Sequence, residues 1–224
     1  MSSKVKELQT AAQINQATPR GTLFVVSSPS GGGKGTIIRH VLDVLENLSY
    51  SVSYTTRAPR LGEVDGREYF FVTRDVFEGM VAAGEFLEWA CVHGNYYGTA
   101  KNQILAETAA GSDIILEVDV QGAASVRQLL MDSVSIFILP PSYEVLRQRL
   151  LARGTDTPEA LEVRLRNAPE ELKQYCAFDY VIINDEVERA AGQLASIIEA
   201  ERARCMRQES LVLEVIKESM SGNE

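Results

Sequence analysis

The stretch TLFVVSSPSGGGKGTIIRHVLDVLENL, residues 22–48, decides the fold. TLFVVS (22–27) is a short apolar run rich in β-branched residues, SSPSGGGKGT (27–36) is dense in glycine, and IIRHVLDVLENL (37–48) has helical apolar spacing. This reads as strand, loop and helix. Outward from it the alternation recurs. DIILEVD (113–119) precedes GAASVRQLLM, VSIFILP (134–140) precedes SYEVLRQRLLA, and DYVIIND (179–185) precedes a helix beginning near Val187. Continuous apolar strands alternating with helices predict an α/β fold, a parallel sheet covered on both faces.

Between Tyr50 and Gly98 the pattern differs. YSVSYTT, REYFFV and FLEWACV are strand-like, separated by turn-rich segments, with one short helix near Asp75–Ala83. They predict a small β-rich lobe inserted in the core. A second excursion, from about Tyr143 to Cys176, is helical and rich in arginine, with Thr157 as cap, Pro158 in the first turn and Pro169 expected to kink or divide the helix. Residues 1–20 are polar and aperiodic and predict a flexible extension. The main domain is then 21–207, with core segments 21–52, 100–141 and 177–207, the lobe at 53–99 and the helical excursion at 142–176. Residues 208–224 form a charged helical tail expected to pack through Leu211, Leu213 and Ile216.

Composition narrows the function. At 224 residues, 45% hydrophobic and 24% charged, with a mean hydropathy of -0.08, the chain belongs with globular proteins. No apolar run approaches the roughly 18–20 residues of a membrane helix, and the first 20 residues lack a signal-peptide core, so a cytoplasmic protein with no membrane partner is expected. A net charge of -9 argues against nucleic acid as a partner. Cys91, Cys176 and Cys205 share no metal-ligand spacing and predict reduced thiols. Any anionic ligand must meet a local basic cluster. Arg57 and Arg60 form one, and Arg147, Arg149, Arg153, Arg164 and Arg166 another.

A glycine-rich turn between a strand and a helix lets successive backbone N–H groups converge on phosphate oxygens, and the helix N-terminus favours the negative charge. Ser28, Pro29, Ser30, Gly31, Gly32, Gly33, Lys34, Gly35 and Thr36 are the candidate ATP-binding residues, with Lys34 on the β- and γ-phosphates. The full pattern G-x-x-x-x-G-K-[ST] is not met, because Ser28 stands at the first glycine and Gly35 where the magnesium-binding hydroxyl belongs. Thr36, one residue later, is the nearest substitute.

Further segments follow the loop in order: SVSYTTRAPRLGEVDGREYFFV (51–72), FLEWACVHGNYYGT (86–99), LEVDVQG (116–122) and RLLARGTDTPEALEVRLRNA (149–168). Together with the loop they resemble guanylate kinase, a P-loop nucleoside monophosphate kinase family, from about Gly21 to Arg207. The resemblance implies a P-loop NTPase-type sheet with a nucleotide-monophosphate lobe and a mobile lid, and transfer of the γ-phosphoryl of ATP to GMP, with dGMP as a further acceptor and Mg²⁺ accompanying ATP. Carried over by position, Arg57, Arg60, Tyr69 and Tyr97 would hold the GMP phosphate, and Ser53, Glu88, Thr99 and Asp119 would face guanine. Lid residues Arg149, Arg153 and Arg164 would reach the transferred phosphoryl, with Lys34 completing the catalytic set. Asn184 would contact the adenine or ribose of ATP. Glu117 would orient magnesium-bound water, although the family often has Asp there.

The chemistry agrees independently with these assignments. Guanine presents an N1–H and an N2 amino group side by side, and a carboxylate can receive both, whereas the N1 of adenine is an acceptor. Arginine forks suit phosphate oxygens. Taken alone, Glu88 reads as an outward residue on a half-buried strand, a reading the surrounding motifs reverse; Asp119 ends a buried-looking strand, where ligand sites of open α/β sheets lie, with a capping carboxylate before the next helix as the alternative. Two alternatives stand beside this one. A catalytically inactive guanylate-kinase-like interaction module would have lost Lys34 and the lid arginines, which are present. A kinase of the same fold acting on a sugar phosphate would have no use for Glu88 and Asp119. Monomer and homo-oligomer are both open.

Overall fold

A computed structural model describes residues 20–60, 62–92, 94–130, 132–152 and 158–221. The chain opens with β1 (Leu23–Ser27), α1 (Lys34–Val44) and β2 (Leu48–Tyr50). The lobe follows as β3 (Tyr54–Thr55), β4 (Phe70–Phe71), α2 (Arg74–Ala82), β5 (Phe86–Val92) and β6 (Asn95–Ala100). The core resumes with α3 (Lys101–Ala109), β7 (Asp113–Glu117), α4 (Val120–Leu129) and β8 (Val134–Leu139). Two helices, α5 (Tyr143–Ala152) and α6 (Pro158–Lys173), lead to β9 (Tyr180–Ile183), α7 (Val187–Arg202) and α8 (Cys205–Ser221).

The core sheet has the order β2-β7-β1-β8-β9, every pair parallel. Alternate residues of β1 serve opposite faces. Phe24 and Val26 pack with Ile37, Ile38 and Val41 of α1 and with Leu194 and Ile198 of α7, while Leu23 and Val25 pack with Ile104 of α3 and Ala123 and Val126 of α4. This two-sided burial is why the strands read as unbroken apolar runs. Gly21 sits where β1 enters the sheet, and a Cβ there would lie 1.8 Å from the Ser112 carbonyl oxygen. Backbone must then move, so Gly21→Ala is expected to lose about 3 kcal/mol, read from the urea-unfolding midpoint; an unchanged midpoint contradicts the packing described.

The lobe carries its own sheet, β4-β3-β6-β5, with β3 and β4 parallel and the other pairs antiparallel. Its aromatic centre stacks Phe77 on Phe86 at 4.5 Å and on Tyr96 at 5.3 Å between ring centroids. In the second excursion, Leu146, Leu150 and Ala168 are buried together, with Leu161 and Leu165 against them.

Several local expectations change. The first helix ends at Val44, and Asn47, with φ 58°, turns the chain so that Leu48 begins β2. YSVSYTT is two strands in two sheets, since Tyr50 pairs with Ile115 of the core and Tyr54 with Gly98 of the lobe. REYFFV contributes only Phe70 and Phe71. β6 and α3 were not anticipated. Pro169 does not divide α6. The Leu165 carbonyl, which Pro169 cannot bond, instead accepts from the Tyr143 hydroxyl at 3.3 Å. In α8 no residue is buried, and Leu211 and Ile216, expected to pack, are exposed. The helix starts afresh beyond the end of α7, away from the core clusters. The cap expected at Thr157 lies outside the described residues.

Candidate active site

The loop between β1 and α1 is shaped by glycine at two points. Gly31 and Gly33 have φ of 88° and 89°. A Cβ on Gly33 would stand 2.3 Å from the Asn184 Nδ2, and one on Gly31 would press the Leu150 side chain at 3.1 Å. No side chain caps α1, so its first turn is left to a ligand. Lys34 Nζ donates to Ser28 Oγ at 3.1 Å, and Ser28 Oγ donates to the Pro29 carbonyl at 2.8 Å. Serine at the first glycine position thus holds the lysine back along the loop.

Two other elements brace the loop. Asn184, buried at the end of β9, donates from Nδ2 to the Gly32 carbonyl at 2.8 Å, while its Oδ1 is buried without a hydrogen-bond partner. From α6, Arg164 donates to Ser30 Oγ at 3.0 Å, and the Glu171 carboxylate accepts from the Ser30 N–H at 3.1 Å. A small cavity beside the loop is lined by Gly31, Gly33, Thr36, Arg149, Asn184 and Val187. Arg149 donates to the Asn184 carbonyl at 3.0 Å, and its other terminal nitrogen is buried with no partner. A buried guanidinium nitrogen without an acceptor suits an anionic ligand.

A second cavity, larger in the set of residues that line it, lies between the loop, the lobe and the C-terminal end of β7. It brings together the basic groups Lys34, Arg57, Arg60 and Arg164, the acidic groups Glu88, Glu117 and Asp119, and Ser53, Tyr69 and Tyr97, with Ala90 and Val92 as apolar wall. Open α/β sheets place ligands at this end of the strands.

Glu88 is reached by close packing across the lobe–core junction. Opposite Thr99 in the β5–β6 ladder, it accepts a 2.6 Å bond on Oε1 from the buried Thr99 hydroxyl. Its other oxygen lies 3.1 Å from where a Cβ on Gly122 would stand, so glycine in the first turn of α4 makes room for it. Asp119 caps α4, with Oδ1 accepting from the Gly122 N–H at 2.7 Å. Burial pushes the Glu88 carboxyl up to about 7, the Thr99 bond opposing and the Asp119 charge adding to the shift. Burial also raises the Tyr69 phenol to about 12, Glu117 adding to it, which keeps the hydroxyl a donor at neutral pH.

The cavities divide the expected residues. Ser53, Arg57, Arg60, Tyr69, Glu88, Tyr97, Asp119, Lys34, Glu117 and Arg164 line the larger one; Gly31, Gly33, Thr36, Arg149 and Asn184 line the smaller. Thr99 does not line the larger cavity: fully buried, it supports Glu88 from behind. Arg149 lines the loop-side cavity and Arg164 the larger one. Arg153 lies outside the described residues. For magnesium, a Cβ at Gly35 would come 3.6 Å from Glu117 Oε2, so that carboxylate faces the first turn of α1, with Thr36 one residue on. Mg²⁺ is commonly held by one or two carboxylates together with substrate phosphates and water, a demand the Glu117 carboxylate fits, whereas Thr36 lines the other cavity.

Sequence reasoning missed four supporting residues: Glu63, Glu171, Gly122 and Tyr50, whose buried hydroxyl lies 3.3 Å from Glu117 Oε2 as its donor. Burial raises the Tyr50 phenol far above its usual range, with Glu117 adding to the shift. A carboxylate in the turn between two arginines and a tyrosine at the end of β2 were visible signals, but nothing in their spacing marks them.

Comparison with known proteins follows the same lines. Residues 20–201 match the family model described as guanylate kinase. The chain is 50% identical over 200 residues to the guanylate kinase of Symbiobacterium thermophilum, covering 89% of this chain and 95% of that protein. It is 50% identical over 180 residues to that of Dechloromonas aromatica, covering 80% and 89%. A crystal structure of guanylate kinase from Anaplasma phagocytophilum superposes with a TM-score of 0.72 at 35% identity, covering 86% of this chain and 92% of that one.

Proposed function

The chain belongs to the guanylate kinase family and is an ATP-dependent GMP kinase; we propose that the residues of the two cavities divide the work of that reaction. The observation that carries this reading is the meeting, in one cavity, of carboxylates suited to guanine with arginines suited to phosphate and the loop lysine. ATP takes the glycine loop, with Asn184 Oδ1 offered to its adenine or ribose. GMP takes the larger cavity, its base on Glu88, Asp119 and Ser53 and its phosphate on Arg57, Arg60, Tyr69 and Tyr97. dGMP, sharing base and phosphate, is a further acceptor.

An oxygen of the GMP phosphate attacks the γ-phosphorus of ATP, and the bond to the β-phosphate oxygen breaks in line, releasing ADP. A phosphate with a second pKa near 6 needs no general base at neutral pH. What remains is alignment and charge. Lys34 and Arg164 share the larger cavity and Arg149 the smaller, so the three cations flank the path of the transferred group and stabilise negative charge on its equatorial oxygens. Arg153 completes this set by position in the sequence. Thr36 and Glu117 would hold Mg²⁺ together with the phosphates of ATP, and the ion would supply charge neutralisation on the triphosphate. The α5–α6 lid excludes water over the site. We assign the reaction to purine nucleotide metabolism in the cytoplasm, a reducing compartment compatible with three exposed free thiols.

The raised Glu88 carboxyl supplies a test. Only the ionised form accepts both guanine N–H groups, so base binding must release a proton wherever Glu88 is protonated in the empty site. Guanosine, lacking the phosphate and its own titration, is expected to bind more weakly as pH falls below about 7, approaching tenfold per pH unit well below it. Titration calorimetry between pH 5 and 8 checks this, and guanosine affinity independent of pH contradicts the role given to Glu88.

A further inference from the structure

The turn after Arg60 carries a carboxylate that the reaction does not use directly. Glu63 Oε1 accepts from Arg57 Nη2 at 2.9 Å, and its Oε2 accepts from the Arg60 backbone N–H at 2.7 Å. Both side chains of the ion pair are largely buried, 14% and 17% exposed, unlike the solvated pairs elsewhere on the surface. The Glu63 N–H also returns a bond to the Arg60 carbonyl at 3.1 Å, closing the turn on itself. Glu63 does not line the larger cavity, but both arginines it touches do.

The Arg57 guanidinium is restrained on its other sides as well. Nη1 donates to the Ala58 carbonyl at 2.7 Å, and the guanidinium carbon lies 5.4 Å from the Tyr69 ring centre and 5.7 Å from that of Phe71. A free arginine carries several rotatable bonds, and freezing them on binding costs affinity. Here the rotamer is already set before a ligand arrives, with further N–H groups left over for phosphate.

We infer that Glu63 is a positioning residue for the acceptor phosphate, holding Arg57 and the Arg60 backbone in the arrangement that receives the GMP phosphate. The inference rests on the assignment of GMP to this cavity. Its consequence is selective: loss of Glu63 weakens recognition of the phosphate and leaves recognition of the base intact. A role in lobe folding alone would weaken both together.

The test compares wild type, Glu63→Ala, Glu63→Gln, Arg57→Ala and the double variant Arg57→Ala with Glu63→Ala. KM for GMP, KM for ATP and the inhibition constant of guanosine are measured for each. Glu63→Ala is expected to raise KM for GMP about tenfold, the size of one charge-assisted bond, with guanosine inhibition and KM for ATP within twofold of wild type. Glu63→Gln, with one acceptor oxygen for two donors, should fall between. In the Arg57→Ala background the same change should have a much smaller effect, because the partner it positions is gone. Guanosine inhibition that weakens in parallel with GMP, an unchanged KM for GMP, or full additivity with Arg57→Ala overturns the inference. Wild-type protein that does not phosphorylate GMP overturns the functional reading beneath it, a result distinguishable from the other three.

Discussion

Lys34→Ala is expected to lower turnover of GMP by roughly 10²–10³, the size of losing one preorganised charge-stabilising donor at a transition state. The geometry gives the reason. Lys34 is the cation carried by the first turn of α1, it lines the cavity assigned to the acceptor, and it donates to Ser28 Oγ at 3.1 Å. Binding of ATP replaces a neutral hydroxyl with phosphate oxygens, and the gain grows as charge builds on the transferred group. The loss should therefore fall on kcat, with guanosine inhibition unchanged. Steady-state ADP release checks this; turnover within a few fold of wild type contradicts the role assigned to the lysine. Ser28→Ala removes only the resting partner and should change turnover far less.

Glu88→Gln is expected to lower kcat/KM for GMP about 10²-fold, through one mispaired hydrogen bond and one lost charge. An amide offers a single acceptor where guanine presents two donors, and its own NH₂ then opposes one of them. KM for ATP should stay within twofold, since Glu88 belongs to the larger cavity alone. The ratio of GMP to AMP efficiency should fall with it. A variant that keeps wild-type selectivity shows that the base is read elsewhere.

The same substitution has an opposite effect on stability. Burial raises the Glu88 carboxyl from 4.5 to about 7, so between these values the folded state holds a proton that the unfolded chain has released. Wild-type stability then falls as pH rises through this window, and the full cost of the buried charge is present above it. Glutamine carries no such cost, so Glu88→Gln should raise Tm more at pH 8 than at pH 5.

How much of this was legible in the chain depends on what each feature needs from its surroundings. The core sheet was readable because β1, β7 and β8 are buried on both faces and so written as apolar runs. The loop was readable because a glycine cluster between strand and helix has few other uses. The lobe was less so: β3 and β4 are two residues each, too short for any period to register. β6 escaped because NYYGTA mixes polar, aromatic and small residues, and its strand character comes from pairing with β5. Pro169 leaves α6 undivided, and Tyr143 on a neighbouring helix, a partner no reading within one helix supplies, serves the carbonyl it leaves unbonded.

The site divides in the same way. Residues assigned to substrate by their own chemistry, such as Lys34, Glu88 and Arg57, were nameable from motif and type. Residues that act through another side chain were not. Thr99 was expected at guanine, and its hydrogen bond to Glu88 was not foreseen; Glu63, Tyr50 and Gly122 draw their roles from neighbours distant in sequence or across a turn. Pattern reports what a residue can do, and only packing reports to whom.

The most direct test is ADP release from ATP and Mg²⁺ with GMP, dGMP, AMP, CMP, UMP or no acceptor. The account predicts turnover confined to GMP and dGMP, with the no-acceptor rate at background. Equal turnover with AMP, or none with any acceptor from a folded chain, contradicts it.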